Sequence, residues 1–327
     1  MHYRSLGWTG LPISRISFGC GAVGGLLVRG EHREMVAAVA RALELGVNYF
    51  DTAQLYGDGV SETNLGAVLQ ELGADVLVGT KVRPPGAAMD DLGSWIPAAV
   101  EVSLRRLRRE RIDLIQLHNL VCAQRRADRG CVGVADVEPV LAAFAKLRDQ
   151  GKVRFWGING LGESAALQQV VAAGGMHTIQ TCYNLLNPSA GMVAPAGFPF
   201  QDYGRLIDEA AAQQVGVLAI RVLAGGALSG TAARHAYASP AVDPIASSAT
   251  LQEDVTRADR FRYLVQEGYV DSLVEAAIRF TTSNKKVSSA IIGFSTVEQL
   301  EAAVAAGNKG ALPDEVVATL IPVWEQG

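Results

Sequence analysis

The chain has 327 residues, 49% of them hydrophobic and 19% charged, with a formal charge of −4 from 29 basic and 33 acidic side chains. Length and apolar content suit one large α/β barrel domain spanning 1–327, and the near-balanced charge gives no reason to expect a nucleic-acid partner. No apolar run approaches the roughly 20 residues of a membrane span, and the opening MHYRSLGW lacks a signal-peptide apolar core, so a cytoplasmic protein with no membrane partner is expected.

Short apolar or β-branched runs predict strands at Ile16–Gly19, Val47–Phe50, Val76–Thr80, Leu114–His118, Val153–Ile158, Thr178–Cys182, Val217–Ile220 and Ser289–Ile292, each suited to burial on both faces. Between them lie segments with helical spacing, such as HREMVAAVARALELG, IPAAVEVSLRRLRRE and VEPVLAAFAKLRDQG. Repeated strand–helix alternation implies parallel pairing through right-handed crossovers, and eight units favour a closed (β/α)8 TIM barrel. No linker, low-complexity run or solenoid-type repeat interrupts the alternation.

Three successive runs lead into the residue types that a carbonyl-reducing site needs: Asp51 and Tyr56 in NYFDTAQLYG, Lys81 in LVGTKV and His118 in IDLIQLHN. The carboxyl ends of barrel strands are where such folds keep their chemistry. A phenol ordinarily titrates near pH 10, so Tyr56 needs cationic or donor neighbours to give up its proton at neutral pH. Lys81 and His118 are expected to lower its pKa, and Asp51 to anchor the Lys81 ammonium. Each residue alone reads as a structural pair or a solvated side chain; the four together read as a proton donor with its tuning shell. They move protons and cannot supply two electrons, so hydride transfer requires a nicotinamide. FGCGAVGG follows the first strand, but no GxGxxG fingerprint opens a helix, and a Rossmann domain is not implied.

Cys20, Cys122, Cys131 and Cys182 make no CxxC or CxxxH pair, so no metal site is expected and the thiols are expected to stay reduced. A bridge between Cys122 and Cys131, which bracket a polar loop, is the minor alternative. With five His and no HxH pair, a metal-dependent barrel hydrolase lacks its ligands.

The segments YRSLGWTGLPISRISFG, NYFDTAQLYG, GTKV, IDLIQLHN, QGKVRFWGI, YNLLNP, LAGGALSG and IIGFSTVEQL run in that order from about residue 3 to about residue 308. In that combination the chain resembles the aldo-keto reductase superfamily, and is similar to its bacterial, sugar- or aldose-dehydrogenase-like members. The resemblance implies a barrel plugged at its amino-terminal end by a short β-hairpin, here the segment before Ser14. It implies an oxidoreductase that reduces an aldehyde or ketone, or oxidises the corresponding alcohol or sugar hemiacetal, with NADP(H) favoured and NAD(H) open. Tyr56 is then the general acid, Lys81 and Asp51 the pair that lowers its pKa, and His118 the orienting or relay residue.

The same resemblance lays the cofactor across the barrel mouth. Asn159 and Gln180 fall at the carboxamide, although Asn159-Gly160 stands where relatives usually have Ser-Asn. Arg221 occupies the place of a stacking aromatic, or else pairs with a rim carboxylate. Leu223, Gly225, Leu228 and Ser229 follow the pyrophosphate, and Gly293, Phe294, Ser295, Thr296 and Gln299 surround the adenosine. Ser295 is expected to begin a capping box with Glu298. Phe294 and Leu300 stand where NADP-preferring relatives carry basic residues, with Lys285, Lys286 and Lys309 nearby.

Loops after the strands offer Val23–Leu27, Leu55, Pro84–Met89, Asn119–Cys131 and Trp324 as the substrate lining, chiefly Val23, Leu55 and Asn119. Arg125, Arg126 and Arg129 either attract an anionic carbonyl compound or form a solvated face. The resemblance also admits a nicotinamide-binding module with little turnover, as in potassium-channel β subunits; the intact four favour an enzyme. Monomer and homo-oligomer both stay open.

Overall fold

Eight parallel strands close on themselves in the computed structural model, which describes residues 1–326. A hairpin of β1 (Tyr3–Ser5) and β2 (Pro12–Ser14) precedes the barrel. The barrel strands are β3 (Ile16–Gly19), β4 (Tyr49–Asp51), β5 (Leu77–Val82) and β6 (Ile112–Leu117), then β9 (Val153–Gly160), β10 (Thr178–Cys182), β11 (Gly216–Ile220) and β12 (Val287–Gly293), which pairs back onto β3. Between β6 and β9 an insertion forms a small parallel pair, β7 (Leu120–Cys122) and β8 (Cys131–Gly133). No helix among the described residues is long and apolar enough to cross a membrane.

The strand period of two decides what faces the barrel interior. Near the hairpin, Leu6 and Ile13 pack with Tyr49, Leu114, Leu218 and Ile291, with Leu77, Phe155 and Ile220 against them, so the hairpin plugs this end with an apolar layer. Steps of two along the same strands then carry Asp51, Lys81, His118, Asn159 and Gly293 inward at the opposite end. The outward-facing residues, among them Phe18, Val78, Ile115 and Ile179, pack under the surrounding helices.

Boundaries differ from the sequence reading where side chains intervene. Asn48 is tied to the hairpin, its Oδ1 accepting from Ser14 N at 2.8 Å and its Nδ2 donating to the Pro12 carbonyl at 2.8 Å, so β4 starts at Tyr49 and takes in Asp51. The strand β6 stops at Leu117, leaving His118 just beyond it with its amide on the Val82 carbonyl at 2.8 Å. The expectation of four reduced thiols is corrected: Cys122 and Cys131 form a disulfide. The β7–β8 pairing brings their Cα atoms to 5.9 Å, within bridging range, which sequence spacing does not reveal.

Candidate active site

Lys81 is fully buried, and its Nζ meets three oxygens: an Asp51 carboxylate oxygen, the Thr52 carbonyl at 2.9 Å and the Tyr56 hydroxyl at 3.3 Å. The other Asp51 oxygen accepts from Gln180 Nε2 at 2.7 Å and from Tyr49 Oη at 3.0 Å. Burial alone disfavours a charged lysine, but Asp51 and then Tyr56 attract the ammonium, and the Lys81 pKa ends above its ordinary value. The strand pattern that aims Asp51 inward also aims Tyr49, two residues earlier, at the same carboxylate. Tyr49 was missed from sequence, although its i, i+2 relation to Asp51 was the available signal.

For Tyr56 the expected downward shift is corrected. Burial raises its pKa, and the opposing pull of Lys81 does not overcome burial with Asp51 beside it. The ammonium therefore limits a desolvation effect rather than producing a freely ionised phenol. His118 stands edge-on to the Tyr56 ring with centroids 5.8 Å apart. Burial first, then the charges of Lys81 and Arg83, push its pKa down to about 3, so the imidazole is neutral above that pH. Its Nδ1 is buried with no hydrogen-bond partner, a state that a bound polar group would relieve.

Asp51, Tyr56, His118, Asn159 and Gln180 line one end of a cavity of about 820 Å³ that runs to Lys309, Asp271 and Glu275 at the other. Of the residues expected along a cofactor, Arg221, Leu223, Gly225, Ser229, Gly293, Phe294, Ser295 and Gln299 are in the lining, as is Val23. Leu228 is not: it is buried in the core behind the loop. Thr296 is not either, because it caps the helix Val297–Asn308, accepting from Gln299 N at 3.3 Å. The capping box expected from Ser295 is thus corrected by one residue. Ser295 Oγ instead donates to the Gly24 carbonyl at 2.6 Å, and its amide donates to Gln299 Oε1 at 2.8 Å. Leu300 is fully buried, so the wall position one turn into this helix belongs to Gln299.

Arg221 has a left-handed backbone (φ 56°) that few non-glycine residues adopt, held by Asn184 Nδ2 donating to its carbonyl at 2.8 Å. Its guanidinium donates to the Asp243 carbonyl at 3.1 Å, not to a carboxylate. The loop containing Gly225 is strapped to the first βα loop by Arg234, which donates to the Gly225 carbonyl at 2.9 Å and the Val23 carbonyl at 3.2 Å.

The substrate-lining expectations divide. Leu55 is exposed and lies outside the large cavity. Asn119 lies outside the large cavity and lines a smaller one with Pro84, Pro85, Gly86 and Met89. Trp324 is buried, its indole donating to the Leu185 carbonyl at 2.7 Å against Phe280.

The residues present fit a nicotinamide dinucleotide. Asn159 Oδ1 is buried without a partner beside Gln180, its neighbour across the β9–β10 register, and an orphaned acceptor there suits a carboxamide N–H. Gly24 lies so close to the Phe294 amide that a Cβ would overlap it, so glycine is what lets the first βα loop meet the end of β12 on this wall. An elongated 820 Å³ space matches a ligand of that size.

Comparison with known proteins agrees. The pattern of the Aldo/keto reductase family matches residues 15–325. The chain is similar to the uncharacterised oxidoreductase YqkF of Bacillus subtilis, with 27% identity covering 98% of this chain and 95% of the relative. It is 28% identical to L-galactose dehydrogenase of Arabidopsis thaliana over 99% of this chain and 97% of that one. Among solved structures, the holo form of the aldo-keto reductase AKR11C1 from Bacillus halodurans shares the fold, with a TM-score of 0.71 and 22% identity, over 100% of this chain and 96% of that chain.

Proposed function

The chain belongs to the aldo/keto reductase family and is an NAD(P)-dependent carbonyl oxidoreductase; from that premise we propose that it reduces a small aldehyde or ketone, or oxidises the matching alcohol or sugar hemiacetal, with Tyr56 as proton donor. The buried contact of Lys81 Nζ with Asp51 and Tyr56 at the end of the long cavity carries this reading. A nicotinamide bound in the cavity supplies the hydride. Tyr56 Oη gives its proton to the carbonyl oxygen as negative charge develops there, and Lys81 stabilises the phenolate left behind. Asp51 holds the ammonium in place, with its second oxygen fixed by Tyr49 and Gln180. Neutral His118 can donate its ring N–H to the same oxygen, and orients it without adding charge.

The proposal extends to cofactor choice. Gln299 is neutral, and Lys309 is held by Asp271 and by Glu275 at 2.7 Å, so neither offers a free cation to a 2′-phosphate. NADP(H) and NAD(H) are both used, with modest discrimination. Oxidation of NADPH and of NADH, followed with a panel of small aldehydes, tests the assignment. Turnover of at least one aldehyde with either cofactor is expected; tight cofactor binding with no turnover on any of them would return the reading to a non-catalytic nicotinamide-binding module.

A further inference from the structure

The segments Pro84–Met89 and Asn119–Cys131 face each other across a second cavity of about 200 Å³, which shares no lining residue with the catalytic one and meets it in the chain at Asn119, the residue after His118. The β5–β6 register pairs Lys81 with Gln116 and Val82 with Leu117. One step further, Arg83 stands beside His118 on the adjoining strand end, where neighbouring strands are about 4.8 Å apart. Arg83 shares the inward parity of Lys81, but lies above it at the mouth. Its guanidinium rests against Gly130, where a Cβ would collide with Nη2. Gly130 also has a left-handed backbone, φ +64°, so both space and conformation call for glycine there.

Arg83 has neither a carboxylate partner nor a hydrogen bond among the described residues, although it lines this cavity. Two of the three loop arginines differ from it; Arg129 is exposed and, like Arg83, has no carboxylate partner among the described residues. Arg125 is gripped by Asp136 at 2.7 Å and Asp90 at 3.2 Å, and Arg126 faces Asp128 at 3.6 Å. Across from Arg83, Asn119 is 3% exposed and fixed by Nδ2, which donates at 3.1 Å to the carbonyls of Pro84 and Gly130. Its Oδ1 is left buried with no donor. A free guanidinium and a fixed, orphaned acceptor thus share one small cavity next to His118. The Cys122–Cys131 bridge and the Arg125–Asp136 pair hold the wall that carries Gly130.

We propose that this cavity is a subsite for the anionic, hydroxylated part of a carbonyl substrate: Arg83 takes a carboxylate, and Asn119 Oδ1 accepts from a neighbouring hydroxyl, as in a sugar acid. The proposal rests on the carbonyl-oxidoreductase reading for what lies at the other end of the substrate, but not for the binding of the anion. A charge-assisted, bidentate guanidinium–carboxylate contact is strong enough to govern selection among substrates of equal length.

Calorimetric titration of the full chain with gluconate and with sorbitol, its uncharged six-carbon counterpart, tests the subsite without turnover. Gluconate is expected to bind roughly tenfold more tightly or better, and Arg83→Met to bring the two affinities within about threefold of each other, with Arg83→Lys between. In a second measurement, kcat/KM for 4-oxobutanoate should exceed that for butanal by about tenfold, and Arg83→Met should collapse that ratio toward one. Equal affinity for gluconate and sorbitol, or a gluconate preference that survives Arg83→Met, overturns the subsite. If neither aldehyde is reduced while gluconate binds through Arg83, the subsite stands and the reductase reading falls.

Discussion

At the catalytic end of the long cavity the functional side chains leave barrel strands or the turns directly after them and are buried with their partners, Lys81 and Asp51 having side chains only 1% and 4% exposed. At the far end, where an adenosine would lie, the charged groups leave helices and loops and neutralise one another in or near water; the side chains of Lys309 and Asp271 are 42% and 86% exposed. A buried pair that loses one member leaves an uncompensated charge, whereas an exposed pair is screened and worth little. The first end is therefore rigid and intolerant of change, and the second is open to retuning. On the proposed reading, chemistry belongs to the strands and cofactor preference to the helices.

The sharpest way to break that contrast is at Tyr56. Tyr56→Phe should lower kcat by about 100-fold or more, the usual loss for a general acid, with cofactor affinity little altered. Lys81→Met should do comparable damage and should also displace the pH profile. Burial raises the Tyr56 pKa and Lys81 is the neighbour that pulls it down. Without the ammonium the phenol holds its proton more tightly, so the rise of alcohol oxidation with pH should move to higher pH. Near-normal turnover by the Phe variant, or an unmoved limb in the Lys81 variant, would assign the proton to another group.

The same contrast explains what the sequence revealed. All eight barrel strands were legible because each is a short apolar run, and Asp51, Lys81 and His118 were found at their carboxyl ends; the inward aim of Asp51 and Lys81 follows only from strands that extend to include them. What failed lay on helices and loops, or depended on a balance of forces. Ser295 and Thr296 are adjacent hydroxyl residues, and which one caps the helix depends on the Gly24 carbonyl, a contact 271 positions away in sequence. Leu300 was matched to a cofactor wall through the resemblance but turns into the core, and since neighbours on a helix point about 100° apart, the wall position falls to Gln299. The Cys122–Cys131 bridge needed the β7–β8 pairing. The sign of the Tyr56 shift needed the depth of burial, which no spacing reports.

A smaller effect, and one that sharpens the comparison, is expected at Gln299. A bidentate arginine–phosphate contact is worth on the order of 1.5–3 kcal/mol, or roughly 10- to 150-fold in affinity. Gln299→Arg should raise NADPH affinity by that order and leave NADH nearly unchanged, as fluorescence titration of both cofactors would read. Leu300→Arg should instead destabilise the fold, since it drives a charge into a fully buried position, and should give no selective gain for NADPH. Equal gains for the two cofactors in the Gln299 variant would move the 2′-phosphate elsewhere.

The smallest effect is predicted at Lys309, and it tests whether the far end is as neutral as its geometry indicates. Lys309 lines the cavity, so charge counting alone makes it the natural partner of a 2′-phosphate. Its ammonium is already engaged by Asp271 and Glu275, and Glu275 keeps Arg279 Nη1 at 2.9 Å when the lysine is lost. Nothing is then left buried and unpaired, so Lys309→Met should fold normally. The ratio of NADPH to NADH affinity should change by less than about threefold, as expected for a solvated and internally satisfied pair. A fall of tenfold or more, confined to NADPH, would mean that the phosphate displaces the carboxylates from Lys309. The far end would then be a charged clamp that opens only to its ligand.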